Sequence, residues 1–430
     1  MNVKKHFSVV ATLFLIFSLL AGCTTNSKSE NLSDSISFND TKNSLTFWTV
    51  QQADINIMSS QKSVIKDFET IQNCSVDLMS YPYAELEEKN LIALASGHGP
   101  DILMVDQIWV SQYAASGFMI PLDEYIANSS INEEQYFKGA WESGKYMGKT
   151  YTIPFDVGVW ALLYYNKSIF REEGLDPEKP PATWSEFLKV GKQLTKNGRY
   201  GVALYSSSEA AQCVTDALIF SAGGKIIDDM GKKALINSEA CIKAMNFLKA
   251  CEEISPPGTV ARAEEDSFKL FTSGKAAMFF YGEWGQDTIK TRNPEMDYGV
   301  ALLPRPDDGI SIGTFGGFNL GINSKCENRE LSWKFIEFAT GKDAEMKITM
   351  LTPAHKEAAR EYLKRRRKYN EVIFQQLSNS SFRPAVKNYT EISKVQIEAT
   401  QKILLNQLGV KEALDEAAEK INELLENQGV

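Results

Sequence analysis

Cysteine and histidine are both scarce in this chain, at six and three among 430 residues. One cysteine, Cys23, closes an apolar leader; the other five are Cys74, Cys213, Cys241, Cys251 and Cys326. Their number is odd, their spacing is sparse, and no CxxC pair occurs. Cys241 and Cys251 fall in one predicted helix, where ten residues of rise hold them about 15 Å apart, too far for a disulfide. Beyond the leader only His98 and His355 remain, so neither a thiolate nor an imidazole metal site is expected, and no other cofactor is called for. The thiols read as buried and structural. Basic charge is lacking too: the net charge of -9 argues against a phosphate-backbone partner, hence no nucleic acid. No run after the first two dozen residues is long and apolar enough to span a bilayer. GxSxG, HExxH, P-loop and dinucleotide fingerprints are all missing. A pair of glycosidase carboxylates leaves no such fingerprint, so motifs alone leave a secreted glycoside-active enzyme open. There is no internal repeat.

What is present begins with the leader. Lys4 and Lys5 precede an apolar run from Phe7 to Leu20, the charged head and apolar middle of a secretory signal. The run ends in Leu20-Ala21-Gly22-Cys23, which resembles the bacterial lipobox. That resemblance implies cleavage before Cys23 and acylation of its thiol and new amino terminus, tethering the protein without threading it through the membrane. Residues 1–23 are then the signal with its lipidated cysteine. Residues 24–43, rich in Ser, Asn, Thr and Asp, form a flexible leash. The remaining length exceeds one ordinary core and predicts two bodies.

The stretch Tyr151 to Asn166 organises the rest. It starts as a strand, breaks at Pro154, then runs apolar and aromatic, yet carries Asp156 and Gly158 in its middle. A fully buried strand needs neither, so the stretch reads as a crossing between two lobes, with a few side chains facing a gap. Before it, strands at 45–50, 75–79 and 101–106 alternate with helical patterns, the last being an apolar run closed by Asp106. This β-α-β-α-β rhythm predicts a doubly wound α/β lobe, whose ligands sit beyond the carboxyl ends of the strands, where Gln51, Gln52 and Asp106 lie. After it, Thr183 and Glu186 make a capping box, strands are expected at 201–205, 276–281 and 298–304, and Gly316-Gly317 marks a second crossing. Helices dominate from Glu330 onward, the last carrying an apolar stripe from Val410 to Leu425.

Taken in order, "ASGHGPDILMVDQIWVSQYAASGFMIPLDEYI", "YTIPFDVGVWALLYYNKSIFREEGL", "PPATWSEFLKVGKQLTKNGRYG", "FTSGKAAMFFYGEW", "YGVALLPRPD", "GTFGGFNLGINSK" and "EALDEAAEKINELL" resemble the family 1 extracellular solute-binding lipoproteins of bacterial ABC importers, the class that includes maltose-binding protein. The motifs cover nearly the whole chain after the leader. The resemblance implies a two-lobed periplasmic-binding-protein fold of type II, an α/β architecture whose lobes are joined by several hinge crossings. The expected lobes are 44–157 plus 319–358, and 158–318 plus 359–430. It further implies a binding module with no chemistry, a carbohydrate ligand, ABC permease subunits as partners, and a lipid-anchored monomer on the outer face of the cytoplasmic membrane (the periplasmic side in a cell with an outer membrane). The alternatives are a non-sugar solute such as a polyamine, suited to Asp106 and Asp156 with tryptophans, or the enzyme above.

The resemblance also points to residues. Asp106 matches a position where an acid meets sugar hydroxyls; it also suits a cap on the following helix. Trp48 reads either as core or as part of the binding edge with Gln51 and Gln52. Trp284 matches a ring that stacks on sugar. Asp156 and Trp160 sit in the first crossing, Gly316, Gly317 and Phe318 in the second, where backbone amides and an aromatic reach the solute. Arg383 resembles a late basic residue pointed into the cleft, or else is a surface arginine. Trp109, Tyr81 and Tyr83 are lesser candidates, whereas Trp141, Trp184 and Trp333 read as packing. The number of aromatics hints at an oligosaccharide. The basic run Lys364 to Lys368 and the acids Glu85, Glu87 and Glu88 read as solvated helix faces.

Overall fold

In the computed structural model, which describes residues 43–51 and 55–426, the stretch Tyr151 to Asn166 is three strands rather than one. Thr152–Pro154, Asp156–Val159 and Leu162–Asn166 join three different sheets within ten residues of each other. Phe155 and the pair Trp160-Ala161 are the breaks. The chain leaves one body through Pro154, crosses at Asp156–Val159, and enters the next at Leu162. The leader, Cys23, the leash to Lys42 and Gln52 lie outside the described residues.

The first sheet runs in the order Ser75–Tyr81, Ser44–Val50, Ile102–Asp106, Phe318–Ile322, Thr152–Pro154. Its first three strands are parallel, and Phe318–Ile322 is antiparallel to both neighbours. All five residues of Ile102–Asp106 are buried, as expected of a parallel strand covered on both faces. The second sheet runs Tyr298–Leu302, Leu162–Asn166, Ala276–Tyr281, Tyr200–Val202. Side chains alternate across it with the period of a strand. Leu162, Tyr164, Phe279 and Tyr281 join one apolar cluster, while Leu163, Tyr165, Met278 and Phe280 join the other. The C-terminal helices Tyr389–Leu404 and Val410–Glu426 bury their stripes in that second cluster.

Between these sheets in the chain lies a small sheet of four short strands: Thr352–Pro353, Asp156–Val159, Gly313–Gly316, Ser380–Ser381. Each belongs to a different pass of the chain, and we refer to the first three as the third, first and second crossings respectively. Gly317 separates the second crossing from Phe318–Ile322 with φ +137°, and a Cβ there would lie 2.2 Å from the Asp156 carbonyl oxygen. Glycine is required on both counts.

Local expectations fared well where the signal was short-range. Thr183 and Glu186 form both halves of the capping box on the helix Trp184–Leu194. Trp141, Trp184 and Trp333 are buried, and so is Trp109. The five cysteines are free, all but Cys74 buried. The basic run is a correction in part: the side chain of Arg367 is 8% exposed and pairs with Asp287, so only its neighbours face water. Among the described residues no helix is long and apolar enough to cross a membrane.

Substituting Gly317 by alanine should destabilise the protein by about 2 kcal/mol or more, since a strained backbone adds to a carbonyl clash. Urea denaturation measures this; an unchanged midpoint would mean that the close approach of the crossings is not needed.

Candidate functional site

Asp106 sits where β-α-β logic places it, at the carboxyl end of Ile102–Asp106, and it is 7% exposed. It does cap the short turn that follows: its Oδ1 accepts from the Ile108 N–H at 3.1 Å. Its Oδ2 accepts from the Tyr83 hydroxyl at 3.0 Å. Arg383 stands 3.9 Å from Oδ1 and donates to Glu209 at 2.6 Å. Burial pushes the Asp106 carboxyl up, opposed by Arg383 and by the bonds from Ile108 and Tyr83. Burial likewise works against the Arg383 charge, but Cys213, Tyr389, Glu209 and Asp106 around it hold the proton on. Arg383 is therefore neither a surface arginine nor a free one. It is a buried cation between two acids, with its Nε unpartnered among the described residues.

Tyr83 stands beside this network. Its ring stacks on Trp109 with centroids 5.4 Å apart and meets Phe318 edge-on at 6.1 Å. It remains 47% exposed. A ring anchored by stacking and by its hydroxyl presents a rigid face to solvent. Trp48 is half-buried and edge-on to Tyr81 at 5.1 Å, while Gln51 is exposed and donates its N–H to the Tyr81 carbonyl.

A second cluster gathers Trp160 and Trp284. Both are half-buried, with ring centroids 4.4 Å apart and planes at 74°. Gly282 leaves room for the Trp284 ring, which a Cβ there would meet at 2.1 Å, and Gly316 leaves the same 2.1 Å for the Trp160 Nε1. The Trp160 indole N–H has no partner among the described residues. An unpaired buried donor costs about 1–3 kcal/mol, and this one is covered by the Gly316 backbone.

Two expected contacts are otherwise occupied. Asp156 is fully buried, and its carboxylate accepts from the Phe318 N–H at 3.0 Å and the Met350 N–H at 3.3 Å. It joins the crossings to one another instead of facing a solute. By the same bond the Phe318 amide is taken, and the Gly317 carbonyl accepts from Gln107. The Phe318 ring, 8% exposed, serves chiefly as packing for Tyr83. Sequence reasoning missed Glu209 and Glu283. The first is an acid in the first turn of the helix Glu209–Ser221; the second stands in "YGEW" between an apolar strand and Trp284, an odd place for a carboxylate and the one signal available. Surface depressions elsewhere, such as one of about 700 Å³ between the helices Glu239–Glu252 and Val410–Glu426, contain none of these residues. No group of three or more His, Cys, Asp or Glu among the described residues is placed to hold a metal ion.

Parallel-strand ends carrying a buried acid–arginine network, with two half-exposed indoles at the crossings between sheets, define a two-lobed binding protein. The chain belongs to the bacterial extracellular solute-binding protein family, whose match runs over residues 53–346. A binding protein of Brucella abortus is 27% identical over 359 residues, covering 80% of this chain and 84% of that one. A solved ABC-transporter solute-binding protein of Thermotoga lettingae, bound to α-D-tagatose, is 28% identical, covers 89% of this chain and all of its own, and superposes at a TM-score of 0.73. The sugar-binding protein MalE of Xanthomonas citri shares the fold at a TM-score of 0.79 with 22% identity, covering 90% of this chain and 98% of its own.

Burial raises the carboxyl of Asp156 to about 7, against hydrogen bonds from Phe318, Met350 and Leu351. It raises Asp216 to about 7 as well, against Gln212. Both values exceed the unfolded one of roughly 4, so the folded chain keeps protons that the unfolded chain releases. Their stabilisation is full below about pH 4 and is lost as pH rises through about 7. The contribution of this pair should therefore make the urea midpoint higher at pH 5.5 than at pH 8, with Asp156→Asn shrinking the difference. A pH response identical in wild type and Asp156→Asn would contradict the assignment to Asp156.

Proposed function

We propose that this chain captures a carbohydrate, an oligosaccharide, in the cleft between its lobes and delivers it to an ABC permease in the membrane. The lobes are 44–157 plus 319–358 and 158–318 plus 359–430. Cys23, outside the described residues, is the lipidated tether to the outer face of the cytoplasmic membrane. The observation that carries the reading is the pair Trp160 and Trp284, half-buried rings in edge-on contact beside the crossings. Sugar rings offer an apolar face for stacking and hydroxyls for hydrogen bonds, and this cluster supplies partners for the first. The Asp106–Arg383–Tyr83 network and Trp48 with Gln51 are the polar and aromatic edges of the same cleft. Gln52 is assigned there from sequence alone.

The Thermotoga lettingae protein, solved with α-D-tagatose bound, supports the sugar reading. A polyamine is disfavoured by Arg383, which already neutralises Asp106, and by the full burial of Asp156. The protein binds and releases; closure is a hinge motion, favoured because the solute touches both lobes only in the closed state.

A thermal-shift screen of mono- and oligosaccharides against spermidine and putrescine is the deciding experiment. A cognate sugar at a hundred times its dissociation constant should stabilise the protein by about 2.7 kcal/mol, and the amines should leave the melting temperature unchanged. A shift with an amine and none with any sugar would reverse the assignment. Trp284→Ala should weaken binding of that sugar roughly tenfold or more, the loss of one stacked ring being about 1.4 kcal/mol; isothermal titration reads it.

A further inference from the structure

Glu283 is a fully buried carboxylate that no part of the binding reading uses. It follows the strand Ala276–Tyr281 and immediately precedes Trp284. Its backbone N–H donates to the Val159 carbonyl at 3.1 Å, at the end of the first crossing. Its Oε1 accepts from the Thr352 hydroxyl at 2.7 Å, in the third crossing. The next residue, Trp284, lies edge-on against Trp160, whose backbone N–H donates to Thr314 and whose indole nitrogen rests on Gly316, both in the second crossing. Glu283 thus bonds the first and third crossings, and Trp284 reaches the second through Trp160.

Burial pushes the Glu283 carboxyl up, opposed by the Arg367 charge and the bond from Thr352, and its Oε2 has no partner among the described residues. Arg367, just past the helix Lys356–Arg366, supplies the countercharge and is itself held by Asp287 on the helix Gly285–Arg292. The Tyr164 hydroxyl donates to the Gly282 carbonyl at 2.8 Å, fixing the other side of Trp284. The third crossing is in turn clasped at its two ends by other buried acids. Asp156 accepts from Met350, and Glu345 accepts from Ala354 at 3.0 Å and from His355 at 3.2 Å. A segment held so closely cannot shift without moving Thr352, and Thr352 is bonded to Glu283.

We propose that Glu283 is a positioning residue: through Thr352 it transmits the setting of the third crossing to Trp284, so that the indole is oriented only when the crossings are in register. The meaning for a solute rests on the binding reading above, but the coupling itself does not. A hinge motion that reset the third crossing would re-aim the ring, linking closure to stacking.

The test uses the full chain labelled with 5-fluorotryptophan and read by fluorine NMR, with single tryptophan-to-phenylalanine changes assigning each resonance. Thr352→Val removes the hydroxyl and should displace the Trp284 and Trp160 resonances while leaving those of Trp184 and Trp333 in place. Glu283→Ala should displace the same pair, and Glu283→Gln, which keeps an acceptor for Thr352, should restore most of the shift. Thr183→Ala, which removes a distant helix cap, is the control that lowers stability without touching Trp284. Should Thr352→Val leave the Trp284 resonance where it was, or move those of Trp184 and Trp333 as far as that of Trp284, Glu283 is only a structural acid and the proposal is wrong. The same samples titrated with maltotriose and D-tagatose separate the two claims. Displaced resonances without sugar binding sink the carbohydrate reading alone, and sugar binding with an unmoved Trp284 in Thr352→Val sinks the coupling alone.

Discussion

The carboxylate of Asp156 lies in the first crossing and accepts one hydrogen bond from Phe318, at the exit of the second, and another from Met350, at the entrance of the third. Burying an acid this completely is costly unless backbone donors surround it, and the donors here lie 162 and 194 residues away in sequence. The register of the small sheet follows from that arrangement. Gly317 can pass beside the Asp156 carbonyl only because it lacks a Cβ, and the Phe318 amide is thereby delivered to the carboxylate. The lobes inherit their relation to each other from this knot.

Around it the indoles find their places. Trp160 leaves the first crossing and fills the space over Gly316; Trp284 follows the second sheet and fills the space over Gly282. Neither ring could sit there beside a larger residue. Rings lodged over glycines are fixed on one side and partly exposed on the other. The Asp106–Arg383–Glu209 network differs in kind. It is a chain of charges whose burial demands mutual pairing, and it stands beside the exposed face of Tyr83.

Much of this was legible in the residues. Alternating strands and helices, the apolar run ending in Asp106, the Thr183 capping box and the ordered motifs that resemble a solute-binding family all act over short distances, and the chain folds as they read. Trp284, singled out by the resemblance, and Trp160, singled out by its place in the first crossing, lie in contact. Asp156 and Arg383 were singled out, but their pairings were not. An acid inside an apolar crossing looks the same on paper whether it meets a sugar hydroxyl or a distant amide, and an arginine near the end of a chain gives no sign of the carboxylates it will meet. Glu283 passed unremarked for the same reason: its partner Thr352 is 69 residues away.

The amino-acid order by itself determined the class of fold, the strands and helices, the positions where glycine is obligatory and the chemical types gathered near the cleft, since propensity, periodicity and capping depend on neighbours within a few residues. Only the tertiary structure decided that Tyr151 to Asn166 is divided among three sheets, that Asp156 and Glu345 clasp the crossings, and that Arg383 is buried between carboxylates. Those outcomes depend on hydrogen bonds between segments far apart in the chain, and a partner at that distance leaves no mark on the residues beside it.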